Sequence, residues 1–164
     1  MQKAFYDKLA RPFEADERRK KRLIRANDIV SKAFYIAYPV LLLILALLRD
    51  ERLLRVILVP LFSFLAVTIF RKIVNAPRPH EVWDAPSLIP KDTRGNSFPS
   101  RHVFSVFIIA MATAYVCMPA AIIMMIAGIF LAIVRIIARI HFVKDVVAGA
   151  AIGIILGWIG FWVI

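Results

Sequence analysis

Residues 103–134 read VFSVFIIAMATAYVCMPAAIIMMIAGIFLAIV, 32 consecutive positions without a charge. The hydrocarbon core of a bilayer is crossed by about 20 helical residues. The stretch is therefore too long for one simple span. Cys117-Met118-Pro119 lies in its middle, and a proline there suits a tight connection. The reading divides it into two spans, the second running on towards Ile140. Working outward, Ala33–Leu48 carries no charge and extends back to Ile29, Leu53–Phe70 carries only Arg55 near its start, and Val146–Ile164 is uncharged. The expected fold is thus all-α, a multi-pass transmembrane helical bundle of about five spans.

Composition agrees. The chain has 164 residues, of which 61% are hydrophobic, and its mean hydropathy is +0.75. A soluble protein of this size needs more polar surface. The length fits one transmembrane domain, residues 29–164, preceded by a polar segment, residues 1–28. That segment holds the cluster Arg18-Arg19-Lys20-Lys21-Arg22. Phe5, Leu9 and Phe13 recur every four residues and form one face if helical, so the segment reads either as a helix lying on the membrane surface or as a solvated tail. The net charge of +11 is read as membrane topology and attraction to anionic headgroups rather than nucleic-acid binding, with some arginines reserved for phosphate. Cys117 is the single cysteine, which excludes an intrachain disulfide, and its apolar neighbours suggest a buried, inert thiol. Gly149, Gly153 and Gly157 are spaced by four, a ridge that lets another helix approach closely.

Charges beside spanning helices are costly and mark function. Three clusters qualify: Arg71 to Pro79, Phe98 to His102, and Arg135 to Asp145 with His141 between. The first ends the second span, the second opens the third, and the third joins the fourth to the fifth. Alternating crossings return all three to one face, together with the proline-containing segment 71–101, the one long loop. There, Arg71, Arg78 and Arg135 offer forked donors that match phosphoryl oxygens. Ser100 is placed as the N-cap of the third span, aiming a helix N-terminus at an anion. His141 and Asp145 are four apart and share a face if helical. The carboxylate then holds the imidazole in one tautomer, as a nucleophile requires. His102 is the candidate proton donor to the departing alkoxide. His80 receives no role.

These residues resemble the type 2 phosphatidic acid phosphatase family of membrane enzymes, whose motifs are K-x-x-x-x-x-x-R-P, P-S-G-H and S-R-x-x-x-x-x-H-x-x-x-D. Arg78-Pro79 matches the end of the first. Pro99, Ser100 and His102 match the second, and Arg135, His141 and Asp145 match the third at the same spacing. The resemblance covers about residues 53–164. It implies a phosphatase core of the kind shared with vanadate-dependent haloperoxidases, which are themselves soluble. It also implies a phosphohistidine formed on His141, protonation by His102, orientation by Asp145, phosphate binding by Arg78, Arg135 and Ser100, and no metal or other cofactor. Three positions depart from the pattern. Arg71 stands where lysine is expected, and Lys72 serves instead if the helix end is shifted. Arg101 replaces glycine and adds a cation suited to a diphosphate or a more acidic headgroup. Val134 replaces serine and removes one possible hydrogen bond to phosphate.

The resemblance implies a phosphatase of a lipid phosphate or diphosphate in the cell membrane. Candidates are of the undecaprenyl diphosphate, phosphatidylglycerol phosphate or phosphatidate type. A non-catalytic anionic-lipid-binding protein on the same fold is the alternative. Expected partners are the lipid substrate and membrane lipids, not nucleic acid, and oligomeric state is left open. Sidedness carries two opposed signals. The basic N-terminus favours a cytoplasmic start, which five spans carry to the active-site face, whereas the family mostly places its site on the other side.

Overall fold

The structure, a computed structural model, describes residues 2–83, 85–90 and 94–164. Its helices are α1 (Gln2–Glu14), α2 (Glu17–Leu47), α3 (Leu53–Val74), α4 (Pro79–Val82), α5 (Arg101–Ala114), α6 (Met118–Ile137) and α7 (Val143–Trp158), the last continuing as a π-helical turn, Ile159–Val163. No strand occurs among the described residues. Four helical segments, Glu17–Leu47, Leu53–Val82, Met118–Ile137 and Val143–Val163, are long and apolar enough to cross a membrane. Their outward faces carry exposed Leu43, Leu61, Phe62, Ile123, Ile126 and Ile155, side chains that lipid tolerates and water does not. The chain is an all-helical integral membrane protein.

The 103–134 stretch breaks where its proline implies. α5 ends at Ala114 and α6 begins at Met118, with Pro119 in the first turn of α6. Cys117 sits in the exposed connection. This corrects the expectation of a buried thiol, because the turn places it at the bundle's end rather than inside a span. With 14 residues, α5 reaches about 21 Å, less than the roughly 30 Å hydrocarbon thickness. It forms the central rod. Val103, Phe104, Ile108, Ala110 and Ala112 are all at most 2% exposed, and α2, α3, α6 and α7 all pack against it.

The closest neighbour of α5 is α7, and the glycine ridge is the reason. A Cβ on Gly149 would lie 2.7 Å from the Ser100 carbonyl oxygen, and one on Gly153 would lie 2.9 Å from that of Phe104. Helix association in lipid rests on such close packing rather than on hydrophobic expulsion. At the opposite end, Arg52 forks onto Asp50 at 2.7 and 2.9 Å and reaches the Tyr115 carbonyl at 3.3 Å. This ties the α2–α3 turn to the end of α5.

At the N-terminus, α2 runs unbroken through residue 28, so the basic cluster 18–22 forms its first turns. Asp16 caps it, accepting from the backbone N–H groups of Arg18 and Arg19. The inward face of α1 is Tyr6 and Ala10, both buried, with Phe13 partly buried, while Phe5 is half exposed. The face is rotated by one residue from the Phe5–Leu9–Phe13 pattern because α1 packs on protein, beside Val134, Ala138 and Ile140.

Candidate active site

The C-terminus of α3, the N-terminus of α5 and the α6–α7 turn meet at one end of the bundle, as alternating crossings require. Between them lies a cavity of about 250 Å³ walled by Thr68, Arg71, Lys72, Arg78, Arg94, Gly95, Asn96, Arg101, His102 and His141. Five of these ten carry fixed positive charge and none is a carboxylate, so the cavity suits an anion. Among the described residues no three His, Cys, Asp or Glu side chains come together as a metal site.

Each wall has a local cause. α3 stops at Val74 because Asn75 adopts a left-handed conformation, φ 41°, which asparagine tolerates better than most residues. Its Oδ1 accepts from the Asn96 N–H at 3.3 Å, and the Ala76 carbonyl accepts from the Ser97 N–H at 2.8 Å. The Gly95-Asn96 pair turns the chain with φ of 64° and 51°. Arg71, 7% exposed, donates to the carbonyls of Asn96, Ser97 and Pro99. Arg78 donates to those of Gly95 at 3.0 Å and Ile140 at 3.4 Å. These two arginines thus hold the loop that forms the far wall while facing the cavity. The helix end is not shifted: buried Arg71 occupies the motif position, and exposed Lys72 stands beside it.

Arg101, an exposed residue in the first turn of α5, also lines the cavity, and its guanidinium lies 5.8 Å from the centre of the Phe64 ring. The position is helical, so no glycine is required there. Ser100 occupies the N-cap, but its side chain makes no capping bond. Instead its backbone N–H donates to the Asp145 carbonyl at 2.8 Å, and its Oγ is buried without a hydrogen-bond partner among the described residues. Arg135, 4% exposed, stands outside the described lining of the cavity, and its Nε likewise has no partner among the described residues. Val134, in place of a serine, is buried with Ala10, Leu88 and Ile140, so a hydroxyl there would sit among apolar side chains.

His141 and Asp145 come together, though not on one helix. α7 begins at Val143, leaving His141 in the preceding turn. Asp145 accepts from the Phe142 N–H at 3.0 Å, which folds the turn back. The Nδ1 of His141 is 3.6 Å from Asp145 Oδ2 and 3.3 Å from Ser97 Oγ, while the Ser97 hydroxyl donates to the same Asp145 oxygen. Ser97 is thus a bridge: its proton goes to the carboxylate, leaving its lone pair for Nδ1–H. That tautomer puts the Nε2 lone pair on the cavity side. Burial pushes the His141 imidazole down to about 4, with Asp145 pulling the other way. At neutral pH the ring is neutral.

Ser97 is the residue that motif spacing misses, since nothing in Asn-Ser-Phe-Pro marks it. Gly95-Asn96 did carry a signal, as a turn dipeptide. Replacing Ser97 by alanine removes a buried hydrogen bond to a charged group, worth about 1.5–3 kcal/mol. The expected result is a fall in kcat of roughly 10- to 100-fold with little change in KM. A variant with wild-type kcat would remove Ser97 from the site's working parts.

The sequence profile of the PAP2 superfamily matches residues 52–164. The crystal structure of Aquifex aeolicus LpxE superposes with a TM-score of 0.74 at 26% identity, over 96% of this chain and 92% of that one. The first transmembrane PAP2 type phosphatidylglycerolphosphate phosphatase from Bacillus subtilis superposes with a TM-score of 0.59 at 20% identity, over 96% and 90% of the two chains, a likeness of fold. No functionally curated protein matches the chain by sequence.

Proposed function

The chain belongs to the PAP2 superfamily as a membrane lipid phosphatase, and from that premise we propose that it hydrolyses a lipid phosphate or diphosphate through a phosphohistidine on His141. The observation that carries the reading is the backing of His141. Its Nδ1 is engaged by Asp145 and Ser97, and its other face opens on a cavity with Arg71, Lys72, Arg78, Arg94 and Arg101 in its wall. A site for lipid binding alone has no use for an oriented, neutral imidazole among cations.

The step balances simply. His141 Nε2 attacks phosphorus, the bond from phosphorus to the lipid oxygen breaks, and His102 gives that oxygen its proton. Water then attacks the phosphohistidine, His102 takes the water's proton, the P–N bond breaks and inorganic phosphate leaves. Arg71, Lys72, Arg78 and Arg101 neutralise the charge that grows on the phosphoryl oxygens. Ser100 and Arg135, which the motifs assign to phosphate, are buried and stand outside the described lining of the cavity. The charge of the guanidinium groups does the work a metal does elsewhere, so the reaction proceeds without one. The five described cations of the wall exceed what one phosphomonoester dianion neutralises, which supports a diphosphate or a headgroup with further negative charge. The setting is the cell membrane.

The test is a phosphate-release panel in detergent, spanning polyprenyl diphosphates, phosphatidylglycerol phosphate and phosphatidate. The expected result is release from at least one substrate, insensitive to chelators and absent in His141→Ala. Tight lipid binding without release from any substrate would instead support the non-catalytic reading.

A further inference from the structure

Arg139 stands two residues before His141 with φ 56°, a left-handed conformation that an arginine seldom adopts. Its side chain is only 4% exposed. A guanidinium removed from water must be paired, and its partners come from the far end of the chain. Asp7 accepts from it at 2.8 Å, and Glu14 accepts from its other terminal nitrogen, with the Pro86 carbonyl at 3.4 Å. On the other side of His141, the Val143 N–H, one of the donors a helix start leaves unsatisfied, is 2.8 Å from Tyr6 Oη. Tyr6 is 4% exposed and packs against Trp83 and Phe142, with ring centres 4.9 and 6.1 Å away. α1 therefore grips the nucleophile's turn at residue 139 and at residue 143.

Further contacts of the turn come from the long loop. Leu88 N–H donates to the Ala138 carbonyl at 3.1 Å, and His80 Nδ1 lies 3.4 Å from the Arg139 carbonyl, which gives a structural place to a histidine without one in the sequence. None of these groups lies in the cavity wall except through His141 itself.

We infer that α1 is a strap that positions the nucleophile: Asp7 and Glu14, through Arg139, and Tyr6, through Val143, hold the turn in the geometry from which His141 attacks. The inference rests on the proposed role of His141. Asp7, Glu14, Tyr6 and Arg139 are positioning residues, and they act on kcat rather than on substrate binding.

The test compares three variants of the full chain in detergent, each normalised to its folded fraction by size exclusion. Arg139→Gly keeps the left-handed backbone and removes the clamp. Asp7→Asn with Glu14→Gln removes the charge from the other side, at side chains 44% and 40% exposed, while the amide oxygens still accept from the buried guanidinium, and its folded fraction is read in the same experiment. Arg139→Lys keeps the charge. The expected result is a fall in kcat of about 10- to 100-fold in the first two, from displacement of the reacting group. KM should stay within about threefold, the two losses should not add when combined, and Arg139→Lys should recover much of the rate. Unchanged kcat in the Asp7/Glu14 variant, or a rise in KM in step with any loss, would overturn the inference. Full activity in His141→Ala would instead bring down the reading beneath it.

Discussion

Replacing His141 by alanine is expected to abolish phosphate release, a loss on the order of 10⁴- to 10⁶-fold as for other enzymes stripped of their nucleophile, while lipid binding stays near the wild-type level. The two effects separate because two sets of residues are involved. In the proposed mechanism binding belongs to Arg71, Lys72, Arg78 and Arg101, all in the cavity wall and all untouched. In the proposed mechanism bond making belongs to one imidazole nitrogen, that of His141. Folding survives because Asp145 keeps the Phe142 N–H and the Ser97 hydroxyl when His141 is gone. Phosphate release, lipid binding and size exclusion on one preparation check the three parts together. Retained turnover would show that the imidazole is a binding group.

Gly149→Ala carries the second large effect, and it joins fold to chemistry. The added Cβ meets the Ser100 carbonyl oxygen at 2.7 Å and the Phe104 nitrogen at 3.3 Å. Both are backbone atoms, so no side chain can swing aside and α7 must move off α5. Overpacking of this kind costs about 1–3 kcal/mol. The displaced contact includes the Ser100 N–H to Asp145 carbonyl bond, which sets the start of one helix against the carboxylate behind the nucleophile. A kcat loss of about 100-fold is expected, with a lower melting temperature. Gly157→Ala is the informative control. Its Cβ meets the Met111 side chain at 2.5 Å, at the other end of the same ridge, so it should lower the melting temperature and leave kcat intact. Equal kcat in Gly149→Ala and wild type would separate the helix contact from catalysis.

The fold was legible because lipid imposes it. A span needs a minimum apolar length, and a charge-free run well beyond that length has to turn at its proline. The glycine ridge was legible for a similar reason, since a spacing of four has one geometric consequence on a helix. The three motifs placed the cavity because connectivity alone brings their helix ends to one face. What escaped the sequence depends on partners that lie far away along the chain. Ser97 is an ordinary loop serine until His141 and Asp145, 44 and 48 positions away, close around it. The clamp on Arg139 reaches back 132 residues to Asp7. An amphipathic pattern states that α1 buries one face, but not whether lipid or protein covers it. Protein does, which rotates the face to Tyr6 and Ala10 and turns Val134, a loss when read against the motif, into a packing residue. The exposed Cys117 has the same origin: apolar neighbours on both sides do not distinguish the middle of a span from the turn between two.

The proposed covalent bond between phosphorus and His141 is best tested by trapping it. An activated aryl phosphate needs no proton at its leaving oxygen, so His102→Ala should still be phosphorylated but should lack the base that activates water for the second step. Rapid denaturation of this variant at alkaline pH, followed by peptide mass spectrometry, should place one phosphoryl group on His141 in stoichiometric yield. Continued turnover of the aryl phosphate with His141 unmodified, or with the phosphoryl group on another side chain, would rule out His141 as the nucleophile.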